Sequence, residues 1–384
     1  MGDTANFNLD FLGNQLISLN DPLTLGILNI GDLTGGSDLV LTAGVNGTIS
    51  FNNGGTAVIN KTGDGTVAIL ANVGLQNQLT LNVAQGILVL GGIVDGVNGF
   101  TKNGDGTLVL RSANNFTGVN ILNGGITLVS PGGNDLSVLG ASSHYFQGTI
   151  VNSGATLAFN NDVGGILNGG TVAGNGGTSL NSEPLFINGQ GFRNLGALRN
   201  ILGRESNQVT GTVTLLGAAR VQSELDTFPL PGSVITNDNE LRIGGPGFTS
   251  ITGAVTGSGD IIHYGVSGFR MQNVTAAQNF TGNLSSILGE IRADTSVGSQ
   301  AASTNPYNKI ASLSLRNSWL RLVFGNGNGA PTTNDKPDSR FSTTAPISMM
   351  SSQIYVENAG FTTGSSLFNY AVAQKLGVAT LVSG

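Results

Sequence analysis

A chain of 384 residues with a net charge of −6, and only 10% charged residues, offers no clustered basic surface for nucleic acid. The absence of cysteine excludes a disulfide-stapled scaffold, and 60 glycines point to a backbone broken by many tight turns. No apolar run reaches the roughly 18 residues of a membrane-spanning helix.

The N-terminal Met1-Gly2-Asp3-Thr4-Ala5-Asn6 lacks the basic and apolar regions of a secretory signal, so the chain is expected to be a mature form or an excised segment. Short alternating runs follow at intervals of about 10 to 12 residues, bounded by Gly, Asn, Asp and Ser, which is how strands and corners are written. Examples are 27–30, 48–51, 66–70, 79–83, 86–90 and 126–129. Lys61-Thr62-Gly63-Asp64-Gly65-Thr66-Val67 returns farther along the chain as Lys102-Asn103-Gly104-Asp105-Gly106-Thr107-Leu108. A period of about 40 residues marks a fold that stacks one supersecondary unit on the next. With two or three strands per turn of roughly 20 residues, the offset is two turns, and the chain winds about 18 times into a rod of roughly 90 Å.

Inward positions carry Val, Ile, Leu and Phe. Outward positions carry Asn, Thr, Ser and Gly, which stack like on like without charge repulsion. Gly63, Gly65, Gly104 and Gly106 read as corner residues, with Asp64, Thr66, Asp105 and Thr107 as their turn partners. Calcium-binding rolls need aspartates from successive turns on one ion, and Asp64 and Asp105 lie two turns apart, so turn formation is the reading preferred for them.

From about residue 181 the pattern loosens, with Pro184, Pro229, Pro231 and Pro246 and arginines at 193, 199, 204 and 220. The best helical stretch, 189–204, is broken by Gly191, Gly196 and Gly203. Regular repeats are therefore assigned to 1–180, and a more irregular continuation of the same solenoid to 181–384, with loop insertions at 183–206 and 325–339. Charge is uneven: 11 acidic against 3 basic residues precede Arg193, and 11 against 13 follow from it.

Three stretches carry a resemblance to a known family. The first is Lys102-Asn103-Gly104-Asp105-Gly106-Thr107-Leu108-Val109-Leu110, then Ala113-Asn114-Asn115-Phe116-Thr117-Gly118, then Asn123-Gly124-Gly125-Ile126. The second is Leu195-Gly196-Ala197-Leu198-Arg199-Asn200, and the third Ser339-Arg340-Phe341 with Ala345-Pro346-Ile347-Ser348. Phe280-Thr281-Gly282 reads as a degenerate copy of Phe116-Thr117-Gly118. In this order they resemble the autotransporter-associated β-strand repeats, also called passenger-associated transport repeats, of large bacterial surface proteins. The resemblance implies a right-handed parallel β-helix outside a bacterial cell, and it brings no common catalytic residues.

Candidate chemistry is thin. Asp260 with His263 and Tyr264, and Asp238 with Glu240 and Arg242, are the nearest approach to the paired carboxylates of a glycan hydrolase. The second group reads as a solvated ion-pair face, and His263-Tyr264 and His144-Tyr145 as turn or rim pairs. Trp319 and Tyr307 are the candidate ligand-facing aromatics. The sequence thus predicts an all-β, right-handed parallel β-helix: an extracellular, non-enzymatic stalk, fibre or surface-layer component that needs no cofactor or metal. Its expected partners are further copies or repeats of itself, and surface glycans if it is instead an adhesin. A polysaccharide-degrading enzyme is the remote alternative.

Overall fold

The computed structural model describes all residues except 1, 131–136, 142–146, 161–178, 181, 203–206, 273–278, 295–306, 325–343, 359–378 and 383–384. The insertion expected at 325–339, the pair His144-Tyr145 and the motif Ser339-Arg340-Phe341 lie outside the described residues. The chain divides into two compact units, Met1–Gly211 and Thr212–Gly384. Each is all-β with parallel strand pairing, a β-solenoid.

In the first unit a turn holds three strands. Thr48–Phe51, Ala57–Lys61 and Thr66–Ile69 make one, and Asn72–Leu75, Leu79–Val83 and Ile87–Leu90 the next. Val94–Gly96, Phe100–Asn103 and Thr107–Leu110 make a third. The register runs Ile49↔Val73↔Val94, Ala57↔Leu79↔Phe100 and Thr66↔Ile87↔Thr107. Because side chains alternate across a strand, each such row points one way through every turn. Val67, Leu88 and Leu108 are buried one above another, as are Ile69, Leu90 and Leu110. Each fully buried aliphatic side chain in such a row contributes about 1.5–3 kcal/mol.

The interval between the two motif copies does span two turns on the third strand, through Thr66↔Ile87↔Thr107. On the second strand it slips. Asn60, Asn82 and Asn103 share a row, which sets Lys61 beside Val83 and Lys102 beside Leu81. The corner between the second and third strands shortens by two residues from the first copy to the third turn, and a two-residue slip keeps every side chain on its original face.

The second unit repeats the plan. One series of strands carries the row Leu241↔Ile261↔Leu284↔Leu313↔Ile347↔Ala379. A six-stranded series runs Thr227–Leu230, Phe248–Ile251, Gly268–Met271, Glu290–Asp294, Trp319–Phe324 and Gln353–Asn358. Turn length is not constant. Ile87 and Thr107 are one turn apart, and so are Leu157 and Leu198, yet the second turn takes about twice as much chain. The longer turn is accompanied by a register shift between Phe159 and Asn160. The even winding of 18 turns is therefore corrected downward. Among the described residues of 189–204 the chain makes the 3-10 turn Phe192–Asn194 and the strand Leu198–Leu202.

Candidate functional site

The repeated corners hold the most unusual chemistry in the first unit. Lys61 and Lys102 are 1% and 0% exposed, inside an apolar stack. Lys102 Nζ donates to the carbonyls of Gly104 and Gly106, both at 2.6 Å, and of Gly124 at 2.7 Å. Lys61 Nζ donates to Gly63 O and, at 2.9 Å, to Gln85 O. Three acceptors match the three N–H groups of an ammonium, whereas a neutral amine has only two. Burial pushes each lysine down to about 8, opposed by the carboxylates of Asp64 and Asp38 at Lys61 and of Asp105 at Lys102. The ammonium form thus dominates at neutral pH.

The glycines of the motif make room for this arrangement. Gly63 and Gly104 have φ of +76° and +85°, the left-handed region that favours glycine. Gly65 and Gly106 need no such dihedral; a Cβ there would strike the backbone of the preceding turn at Ser37 and at Gln85. Asp64 and Asp105 are exposed at the corner tips. Among the described residues no group of three or more His, Asp or Glu side chains converges as metal ligands.

Outside the apolar stack runs a ladder of seven asparagines. Asn29 Nδ2 donates to Asn6 Oδ1 at 2.7 Å, Asn60 to Asn29 at 2.8 Å and Asn82 to Asn60 at 2.9 Å. Asn103 donates to Asn82 at 3.1 Å, Asn123 to Asn103 at 2.8 Å and Asn152 to Asn123 at 2.7 Å. Every amide donates toward the N-terminal side, so the bonds share one direction.

The remaining motif residues are architectural. Asn114 replaces missing backbone partners: its Oδ1 accepts from Val94 N at 2.9 Å and its Nδ2 donates to Val138 O at 2.6 Å. Phe116 packs edge-on against Phe100, with ring centroids 5.9 Å apart. A Cβ at Gly118 would overlap the backbone at Gly99. The degenerate copy makes the same contacts: Thr117 N donates to Gly96 O at 3.0 Å and Thr281 N to Gly257 O at 2.9 Å, while Gly282 lies against Gly259.

Two expectations for the second unit are corrected. Tyr307 is buried, its Oη donating to Arg292 O at 2.9 Å and accepting from Met271 N at 2.8 Å, so it faces the interior and no ligand. His263 is no rim residue either. It sits inward on the strand Ile261–Tyr264, 1% exposed, with Nδ1 3.0 Å from Ser286 Oγ and its ring stacked on Phe269 at 6.2 Å. Burial holds its pKa down at about 4.

Asp260 is turned elsewhere, its Oδ1 accepting from Asn283 N at 3.0 Å and Asn283 Nδ2 at 2.9 Å. Tyr264 lies beneath the Arg220 guanidinium, 4.7 Å from its ring centroid. Glu240 and Arg242 form a partly exposed ion pair at 2.5 Å, and Asp238 accepts from Ser258 Oγ. Trp319 is 43% exposed on the six-stranded face, next to Glu290 on one side and Gln353 on the other.

Parallel stacking, corner glycines and polar ladders define the chain as a β-solenoid repeat protein. It is 25% identical over 292 residues to the "Adhesin BmaC autotransporter" of Brucella suis biovar 1 (strain 1330), a match covering 72% of this chain. The chain spans only 8% of that relative's length. No family model and no solved structure matches it.

Proposed function

We propose that this chain is a segment of an extracellular bacterial passenger, a β-solenoid that spaces and presents adhesive faces at the cell surface. The observation that carries the reading is the similarity to an autotransporter adhesin over most of the chain. A directional amide ladder and lysine-sealed corners suit a spacer that must hold register without disulfides. Backbone bonding between turns, rather than catalysis, is the role this reading gives to the motif residues. Antibodies against the chain should label intact cells of the source organism, and external protease should strip the label. Labelling only after permeabilisation would overturn the reading. The same preparation should show saturable attachment to a surface and release no reducing sugar from polysaccharides.

A further inference from the structure

Most stacked positions on this solenoid are neutral, yet the six-stranded face of the second unit breaks the pattern. Its register places Arg270 beside Arg292, Arg292 beside Arg321, and Arg321 beside Tyr355. Three guanidinium-bearing residues thus occupy one row on consecutive strands, about 4.8 Å apart along the axis. The neighbouring row holds Gly268, Glu290, Trp319 and Gln353. The Arg270 guanidinium lies 5.7 Å from the Phe248 ring centroid, and its Nε donates to Ser250 Oγ at 2.7 Å. Arg321 Nη1 stands 3.7 Å from Glu290 Oε2, both partly exposed. Tyr355 is 52% exposed at the end of the arginine row, and Trp319 is 43% exposed in the neighbouring row.

We propose that this face binds an acidic glycan, a linear polysaccharide bearing carboxylates or sulfates, laid along the arginine row. Three guanidinium groups in one row give a line of positive charge that a linear polyanion matches along its length. Guanidinium groups meet carboxylate or sulfate oxygens with paired N–H donors, which a point charge does not. Exposed aromatic rings beside the row offer flat platforms for the apolar faces of sugar rings. Glu290 borders the row on one side, in the register position next to Trp319.

This inference rests on the adhesive reading above, and its test separates the two. Trp319 is the chain's single tryptophan, so its fluorescence reports directly on the face. Titration of the 384-residue chain with oligogalacturonate, and separately with a sulfated heparin oligosaccharide, should shift that emission saturably in at least one arm. A neutral dextran oligosaccharide should not. Binding should weaken with added salt, and Arg292→Gln should weaken it about tenfold, with Arg292→Lys between the two. Thermal melting by circular dichroism identifies a variant that has not folded; the salt series on the unaltered chain then decides alone.

The proposal falls if neither acidic glycan binds, if folded Arg292→Gln binds as tightly as the parent, or if duplex DNA or anionic phosphatidylglycerol vesicles bind as well as the glycans. Surface attachment that persists in folded Arg292→Gln removes this inference and keeps the adhesin. Glycan binding without exposure on intact cells does the reverse.

Discussion

Lys102 exchanges the hydration of an ammonium for three carbonyl oxygens, and the exchange decides what its loss should do. Lys102→Met keeps the aliphatic stem but strands the carbonyls of Gly104, Gly106 and Gly124. Removing the buried charge offsets part of that loss, leaving a cost of about 2 kcal/mol, to be read as a lower urea midpoint. The pH dependence has a definite sign. Folded pKa values of about 8 for Lys61 and Lys102 lie below the ordinary 10.5, so between these values the unfolded chain binds more protons. Stability should therefore rise as pH increases from about 8 toward 10, and a Lys61→Met, Lys102→Met double variant should lose that rise.

His263 gives the acid counterpart. Its folded pKa of about 4 lies below the ordinary 6.5, so its stabilising contribution is complete above 6.5 and lost as pH falls through that window. Loss on the order of 2–3 kcal/mol by pH 4 is expected, and His263→Phe should flatten that part of the denaturation profile. From the sequence His263 reads as a turn or rim residue, although a strand over Ile261–Tyr264 sets it on the same face as the buried Ile261. The interior position of Tyr307 was not legible, because its partners Met271 and Arg292 lie 36 and 15 residues away.

At the scale of strands and turns, alternation alone specified most of the architecture. Short apolar runs between glycine corners gave the strands, and neutral outward positions gave the expectation of polar ladders that Asn6 to Asn152 realise. The slipped second strand was hidden, because identity between the two Lys-x-Gly-Asp-Gly-Thr copies aligns Lys61 with Lys102, whereas hydrogen bonding aligns Asn60 with Asn103 through Asn82. The same identity concealed what the lysines do, since their acceptors include the next turn's corner carbonyls, Gln85 O and Gly124 O. Asn82 sits mid-ladder, donating to Asn60 and accepting from Asn103. Asn82→Ala should cost about 1 kcal/mol, a modest value because the ladder is half open to water. Asn60→Ala and Asn82→Ala share one bond, so the double variant should lose less than the sum of the single losses, measured by urea denaturation.

At the largest scale, the governing fact is that among the described residues the strands of each turn pair with those of the turns next to it. The charge content of 10% fits such stacking, and the arginine row of the second unit is an exception to it. The turn from Leu157 to Leu198 holds about twice the chain of the turn from Ile87 to Thr107, which is why composition and period could not fix the number of turns. In a nearest-neighbour stack, stability is close to a sum of local terms, so damage stays local. Lys102→Met should therefore reduce amide hydrogen-exchange protection in the strands that flank its corner, Leu79–Val83, Thr107–Leu110 and Gly125–Val129. Protection in Leu241–Gly244 and Ile261–Tyr264 of the second unit should stay at the parent level. A uniform loss across both units would mean that the chain unfolds as one cooperative body, and the additive account of its stability would fail.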